Sequence, residues 1–388
     1  MNPYLLTLNL NRTRKQKQNK MRNSFSQFLF NQYRKNEIKL HELNYLFWEC
    51  TRRCNLNCLH CGSDCKSSGS DTKDMPFDDF LKAILTIKKK YKSDNITIAI
   101  TGGEPILRED LPQCGLALRK NGFRWGIVTN GYDYTHEVHN KLLASGMGSI
   151  TVSLDGLEQS HNWLRGNDQS FKRAVNAIDL VVSSPRLFYD VVTCVNKKNI
   201  NELEEIKNFL ISRKVKAWRL FTISPIGRAV KNDDLLLEPQ QLKQLMDFIV
   251  KTRESEAARF KNGGNDCIKV TFACEAYLGE YELKARDTYF FCRAGNSIGS
   301  ILIDGSISAC PNNNPCFIQG NIYKDDFLDV WENKFDIMRN RKWCKTGLCK
   351  NCDAFKNCNG GAMHLWDEKK DSIKTCIYHQ LSALKSML

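Results

Sequence analysis

The chain has 388 residues, of which 42% are hydrophobic, an ordinary globular fraction that allows two domains or one large domain with an extension. No run of eighteen apolar residues occurs, which argues against a membrane span, and residues 1–23 place apolar residues before basic ones, the reverse order of a secretory signal. Much of the formal charge of +14 lies in this N-terminal tail, so we do not expect nucleic acid as a partner. Seventeen cysteines in a chain that we expect to be cytoplasmic favour bound metal over disulfides.

Short β-rich runs alternate with helical segments from residue 44 onward. Six such runs can be read in chain order: "LNYLFWE", "NITIAI", "FRWGIVTNG", "SITVSLDG", "FYDVVTCVN" and "VKAWRLFTISPIGRA". This alternation predicts parallel βα units with right-handed crossovers. The alternation stops near residue 232, two units short of a closed eight-stranded barrel. The sequence therefore predicts an α/β fold with a partial (β/α)6 TIM-type barrel.

The C-terminal part of the chain is loop-rich and dense in cysteine. A region too small to build a large apolar core is typically held together by disulfides or metal. We predict four segments along the chain: a basic extension at 1–43, the partial barrel at 44–232, a linking helix with a connector at 233–289, and a cysteine-rich domain at 290–388.

Polar motifs follow four of the predicted strands, where the chemistry of a βα barrel is expected. They are a cysteine loop, "TGGEP", "TNG" and "SLDG". In the loop, Cys54, Cys58 and Cys61 fit C-x3-C-x2-C. Zinc sites usually have four ligands in two close pairs, whereas three thiolates on one loop suit a cubane iron–sulfur cluster that leaves one iron open.

These motifs together resemble those of radical S-adenosylmethionine (SAM) enzymes. The resemblance implies that Cys54, Cys58 and Cys61 hold a [4Fe–4S] cluster whose open iron binds SAM. It also implies SAM contacts from the residues after the later strands: Gly102, Gly103, Glu104, Pro105, Asn130, Ser153 and Arg165. In the family, the glycines let the backbone approach the SAM amino group, Glu104 would accept from that group, and Arg165 would clamp the SAM carboxylate. Asn130 would contact SAM or cap a turn, and His60 stands where the family has an aromatic residue, so its role is open.

The C-terminal cysteines resemble the SPASM extension of radical SAM enzymes, which carries auxiliary [4Fe–4S] clusters. Cys292 and Cys310 fit C-x12-G-x4-C around Gly305. A second group fits C-x2-C-x5-C with one later cysteine, namely Cys349, Cys352, Cys358 and Cys376.

One departure from the SPASM pattern makes the ligands of the auxiliary clusters ambiguous, because Ala362 stands at the next family cysteine. The quartet ending in Cys376 still closes one site, while the other site keeps Cys292 and Cys310, with Cys274 and Cys316 as the nearest substitutes. A rival partition builds one cluster from Cys292, Cys310, Cys349 and Cys352. We therefore expect one or two auxiliary clusters.

The resemblance implies an enzyme that reductively cleaves SAM to a 5'-deoxyadenosyl radical and modifies a peptide or protein side chain. It also implies an electron donor such as flavodoxin or ferredoxin. Stretches such as "HNWLRGN" and "QGNIYKDDFLDVWEN" most resemble SPASM enzymes of bacterial rSAM/lipoprotein gene systems. No catalytic acid or base is predicted, and Pro311 counts against formylglycine formation, whose enzymes have an aspartate there. The alternatives are a non-catalytic iron–sulfur or zinc protein that binds a partner, and an RNA-modifying radical SAM enzyme.

Overall fold

The computed structural model describes residues 25–65, 73–273 and 275–385. The chain divides into two compact units, residues 1–41 and 42–388. In the first unit, residues 25–40 form helix α1. In the second unit, buried side chains from sheet and helices form the main hydrophobic core.

Seven parallel strands of the second unit lie side by side in chain order. They are β1 (Tyr45–Thr51), β2 (Thr97–Gly102), β3 (Arg124–Thr129), β4 (Ser149–Ser153), β5 (Phe188–Val195), β6 (Ala217–Thr222) and β7 (Lys269–Phe272). The first six are the predicted runs, and the prediction of a parallel partial barrel is confirmed. Strand β7 is an addition that arises within the predicted connector, where its residues KVTF alternate between polar and apolar over only four positions, a run too short to be read as a seventh strand.

Helices connect consecutive strands and cover the sheet. They are α2 (Phe77–Leu85), α3 (Leu111–Lys120), α4 (His136–Ala144), α5 (Glu158–Arg165), α6 (Ser170–Val182), α7 (Leu203–Ser212) and α8 (Pro239–Lys261). Their apolar faces pack on the strands, as when the ring of Phe80 stacks on Trp48 with centroids 4.4 Å apart. Helix α8 begins at a capping box of Glu238 and Gln241, with Pro239 at its first position.

The cysteine-rich region continues the same sheet. Strand β8 (Ile298–Ile301) pairs in parallel with β1, and the short strands β9 (Ser306–Ser308) and β10 (Gly320–Asn321) follow antiparallel. The sheet is therefore ten strands wide, with β10 and β7 at its two edges in the described part of the chain. The segment boundaries near residues 232 and 289 stay predictions, and the sheet crosses both.

Short elements complete the C-terminal region. They are α9 (Phe327–Asn333), α10 (Asp336–Arg339), α11 (Phe355–Cys358), the hairpin of β11 (Trp366–Asp367) and β12 (Ser372–Ile373), and α12 (Ile377–Lys385). Helix α12 packs against α8. Among the described residues, no helix has the length and apolar character that crossing a bilayer requires.

Candidate functional site

The cysteine loop begins where strand β1 ends, at the carboxyl edge of the parallel sheet. Cys54, Cys58 and Cys61 lie near one another. Burial raises the pKa of Cys54 to about 11, and the neighbouring Cys58 and Cys61 add to this rise. The thiol of Cys65 donates to Cys61 and, with Arg228 nearby, lowers the pKa of Cys61. Cys65, four residues after Cys61, is buried. The loop thus gathers four thiols, of which Cys61 is the one most readily ionised.

The "GGEP" segment is bound to the backbone of this loop. The amide of Gly103 donates to the Thr51 carbonyl at 2.8 Å, and that of Glu104 to the Arg53 carbonyl at 2.9 Å. A Cβ at Gly102 would lie 2.1 Å from the Thr51 oxygen, and one at Gly103 equally close to the Arg53 oxygen. The two glycines therefore allow the backbone after β2 to lie close against the backbone after β1. This is a different role from the expected approach of SAM to the glycine backbone.

Glu104 is buried and connects the ends of β2 and β3. Its carboxylate accepts from the Thr129 hydroxyl at 2.8 Å, the Asn130 amide at 2.8 Å and the Ile106 amide at 3.3 Å. Burial raises the pKa of Glu104 to about 7, although these donors oppose the rise. Pro105 opens the short turn Pro105–Leu107 that follows. Glu104 is thus already engaged with the protein on both carboxylate oxygens.

Asn130 combines a turn cap with a contact to the cysteine loop. Its Oδ1 accepts from the Tyr132 amide at 2.8 Å, and its Nδ2 donates to Asn55 Oδ1 at 2.8 Å and lies 4.0 Å from Cys54 Sγ. Ser153 ends the next strand, β4, and is buried. Both residues lie at the strand ends where the sequence analysis expected them, and their contact with SAM stays a prediction.

Arg165 is buried at the end of helix α5, where Gly166 in the left-handed conformation terminates the helix. Its Nε donates to Asp155 Oδ2 at 2.7 Å, and its Nη1 lies 3.7 Å from Cys58 Sγ. Burial opposes charge on Asp155, yet Arg165 holds the pKa of this carboxyl below its usual value. The guanidinium, expected to clamp SAM, is therefore shared between an internal carboxylate and the sulfur of a predicted cluster ligand.

His60 lies near the same carboxylate oxygen as Arg165. Its Nε2 is 3.6 Å from Asp155 Oδ2, and burial lowers its pKa to about 4, so the ring is neutral at pH 7. The thiol of Cys194, at the end of β5, lies within 4.8 Å of the ligand atoms of His60 and Asp155. Asp155 was named in the sequence only as part of "SLDG", and its central position in this cluster is visible only in the fold.

A cavity in the C-terminal region is lined by four cysteines, three from residues 349–358 and one from just before helix α12. They are Cys349, Cys352, Cys358 and Cys376. Burial and the neighbouring thiols raise the pKa of Cys349 to about 12. The structure therefore brings together the quartet that the sequence analysis grouped by its spacing.

The remaining candidate ligands of the auxiliary sites are placed differently from one another. Cys292 is buried, and although burial opposes ionisation, Arg341 and the Met363 amide hold its pKa below the usual value. Cys310 is half-buried against the core. Cys316 is exposed, and partial desolvation of its thiol together with a hydrogen bond to Glu368 raises its pKa to about 11. Exposure makes Cys316 a poor substitute ligand, and Cys274 lies outside the described residues.

Comparison with known proteins decides the family of this chain. The model of the radical SAM superfamily matches residues 48–210, and the model of the SPASM iron–sulfur cluster-binding domain matches residues 292–353. The chain is a radical SAM enzyme with a SPASM domain. Its cofactors are accordingly SAM and [4Fe–4S] clusters.

Relatives of this radical SAM enzyme include proteins of two activities. The Fe-coproporphyrin III synthase of Methanosarcina barkeri is 27% identical over 81% of this chain and 81% of its own length. The mycofactocin maturase MftC of Mycolicibacterium smegmatis is 27% identical over 82% of this chain and 77% of its own length.

Solved structures share the fold of this radical SAM enzyme. SuiB of Streptococcus suis, bound to its precursor peptide SuiA, superimposes with a TM-score of 0.65 at 17% identity, covering 88% of this chain and 78% of SuiB. The protein anSMEcpe with bound AdoMet gives a TM-score of 0.67 at 18% identity, covering 88% of this chain and 91% of anSMEcpe.

The thiols of this radical SAM enzyme suit the clusters of its family. Both candidate sites offer sulfur, the ligand that iron–sulfur clusters require. At the rim, Arg165 places a cation beside Cys58, which favours the thiolate form that binds iron. In the C-terminal region, four thiols around one cavity match the four ligands of a closed [4Fe–4S] cluster.

Glu275 is a buried group at this site that the sequence analysis missed. Its Oε2 accepts from the Thr222 amide at 2.9 Å and from the Thr222 hydroxyl at 2.8 Å, at the end of β6. Glu275 also lines the cavity of the cysteine quartet, and burial raises its pKa to about 7. This carboxyl therefore connects the barrel rim to the auxiliary cavity. No sequence signal marks it, because its partners lie far away in the chain.

Proposed function

We propose that this enzyme binds SAM at the cysteine loop and uses it to modify a side chain of a peptide or protein. The observation that carries the proposal is the joining of three rim elements. The "GGEP" backbone is bonded to the cysteine loop, Asn130 faces Cys54, and Arg165 contacts Cys58. A metal loop serving only a structural role has no need of these neighbouring motifs.

In this proposal Cys54, Cys58 and Cys61 hold the SAM-binding cluster, and the cysteine quartet holds an auxiliary cluster. When bound, the cluster and SAM together supply a 5'-deoxyadenosyl radical that abstracts a hydrogen atom from substrate. The chain's own residues supply rigidity and charge. Glu104 connects β2 to β3, and Asp155 holds the guanidinium of Arg165 in place beside Cys58.

A peptide substrate is supported by the relatives and by the open sheet. MftC is named a maturase, and the structure of SuiB contains a precursor peptide. Because the sheet has two edges instead of closing, its inner face is accessible from the side, which suits a bulky substrate better than a closed barrel would.

A tetrapyrrole is the second candidate substrate. Fe-coproporphyrin III synthase and AdoMet-dependent heme synthase of Methanosarcina barkeri are 27% and 24% identical to this chain over more than four-fifths of its length. Such a substrate would need neither a leader peptide nor a long groove.

We further propose a low-potential one-electron donor, such as flavodoxin or ferredoxin, and a cytoplasmic location. The cysteines that this proposal assigns to the clusters bind iron as reduced thiolates, a state that a reducing compartment maintains.

The proposal is tested with anaerobically reconstituted protein, SAM and a chemical reductant. Wild-type protein should release 5'-deoxyadenosine, and the triple variant Cys54→Ala, Cys58→Ala, Cys61→Ala should release none while it retains the iron of the C-terminal clusters. Cys114→Ala, a buried thiol in α3, serves as the matched control and should behave as wild type. Wild-type turnover by the triple variant would exclude the cysteine loop as the SAM site.

The substrate class is tested by mass spectrometry of the products. Candidate precursor peptides and candidate iron porphyrins are incubated separately with the enzyme. A mass change in a peptide, with 5'-deoxyadenosine released in proportion, supports peptide modification, and a change confined to the porphyrin overturns it.

A further inference from the structure

The N-terminal unit carries more than half of the net positive charge of the chain. Residues 1–41 contain nine lysine and arginine residues and a single acidic residue, Glu37. Their net charge of +8 exceeds the +6 of the remaining 347 residues. Six of these basic residues lie between positions 12 and 22, immediately before helix α1. A block of like charge of this density is typical of a segment that meets a polyanionic surface.

Helix α1 exposes large apolar side chains on one half of its surface. We call this set the aromatic face, and its exposed fractions are 63% for Phe25, 55% for Phe28, 50% for Leu29, 53% for Tyr33 and 60% for Leu40. At 3.6 residues per turn all five point to the same side. Lys39 is exposed on this same half, and Lys35 and Glu37 lie at its two edges.

We propose that helix α1 and the basic segment before it bind the surface of a membrane that contains anionic lipid. The aromatic face would enter the boundary between headgroups and acyl chains, and the basic residues would remain at the phosphate level. Two weak signals, apolar insertion and a polybasic segment, together give stable but reversible attachment.

The aromatic face distinguishes lipid from the other polyanions that a basic segment could meet. A nucleic acid backbone would satisfy the charge but would leave five apolar side chains in water. Anionic lipid complements both features in one surface, because its phosphates lie directly above an apolar layer. The proposal concerns residues 1–41 only and does not depend on the reaction of the catalytic unit.

The test is flotation of the full reconstituted enzyme with vesicles. Binding is expected with vesicles that mix phosphatidylglycerol into phosphatidylcholine, and little binding with phosphatidylcholine alone. Added salt should weaken binding, because it screens the charge. The double variant Phe28→Ser, Tyr33→Ser should bind about tenfold more weakly or worse. Phe260→Ser, which removes an equally exposed phenylalanine from α8, is the matched control and should bind as wild type.

Three results would overturn the proposal. The first is equal affinity for the two kinds of vesicle. The second is unchanged binding by the double variant, which would remove the aromatic face from the interaction. The third is tight binding to an RNA or DNA oligonucleotide without binding to vesicles. Release of 5'-deoxyadenosine by the double variant should equal that of wild type, so this test and the test of the proposed function fail separately.

Discussion

Replacing Gly103 by alanine is expected to separate the "GGEP" segment from the cysteine loop. The new methyl carbon would lie 2.1 Å from the Arg53 carbonyl oxygen, whereas such contacts are essentially never below 3.0 Å. The two backbones must therefore move apart by roughly 1 Å. That movement breaks the hydrogen bonds from Gly103 to Thr51 and from Glu104 to Arg53.

The expected destabilisation is the sum of two effects. Each lost backbone hydrogen bond costs about 0.5–1.5 kcal/mol, and overpacking costs about 1–3 kcal/mol. Gly103→Ala should thus destabilise this region by about 2–6 kcal/mol. Because the loop that moves carries Cys54, the variant should also lose the iron of the rim cluster and keep that of the C-terminal clusters.

The assay is iron content and thermal unfolding of the reconstituted protein, with Gly148→Ala as the matched control. A Cβ at Gly148 would lie 3.8 Å from its nearest neighbour, the Trp125 carbonyl oxygen, and its φ is not in the left-handed region. The control should therefore resemble wild type. Full iron content and an unchanged unfolding temperature for Gly103→Ala would refute the reasoning. If SAM affinity alone then fell, the glycine would serve the cofactor, as the sequence analysis expected.

Three further outcomes are expected. Cys376→Ala should lower the iron content by about four atoms, the content of one cubane cluster, whereas Cys316→Ala, which changes an exposed cysteine, should lower it by none. Equal iron contents in the two variants would contradict the assignment of the cysteine quartet to one cluster. Asp155→Ala should cost about 3–5 kcal/mol in thermal unfolding, because it leaves the buried Arg165 without its counter-charge, and the double variant Asp155→Ala, Arg165→Met should recover much of that loss. Since burial raises the pKa of Glu275 to about 7, wild-type stability should fall by about 3 kcal/mol as pH rises from about 4.5 through 7, and Glu275→Gln should remove this slope. A slope identical in the variant would mean that Glu275 is charged throughout.

The cysteine loop illustrates how much the sequence could predict. The spacing of Cys54, Cys58 and Cys61 within eight residues restricts how their thiols can be arranged, so the motif could be recognised before any fold was known. The same holds for the six strands of the barrel, whose β-rich runs alternate regularly with helical segments. Arg165 was a harder case. Its motif predicted a contact with SAM. Its partners Asp155 and Cys58 could be identified only from the tertiary structure, in which α5 packs against the cysteine loop.

The sequence by itself determined the family, the parallel order of β1 to β6 and the grouping of the rim trio of cysteines, and it left two groupings of the C-terminal cysteines open. These features depend on local spacing and on the period of apolar residues, which neighbouring positions encode. Only the tertiary structure decided that β8 pairs with β1, that Glu275 meets Thr222, and that Cys65 is buried beside Cys61. The first two contacts join residues that are far apart in the chain, and burial of Cys65 depends on how its loop is covered. None of the three leaves a pattern in the residues around it.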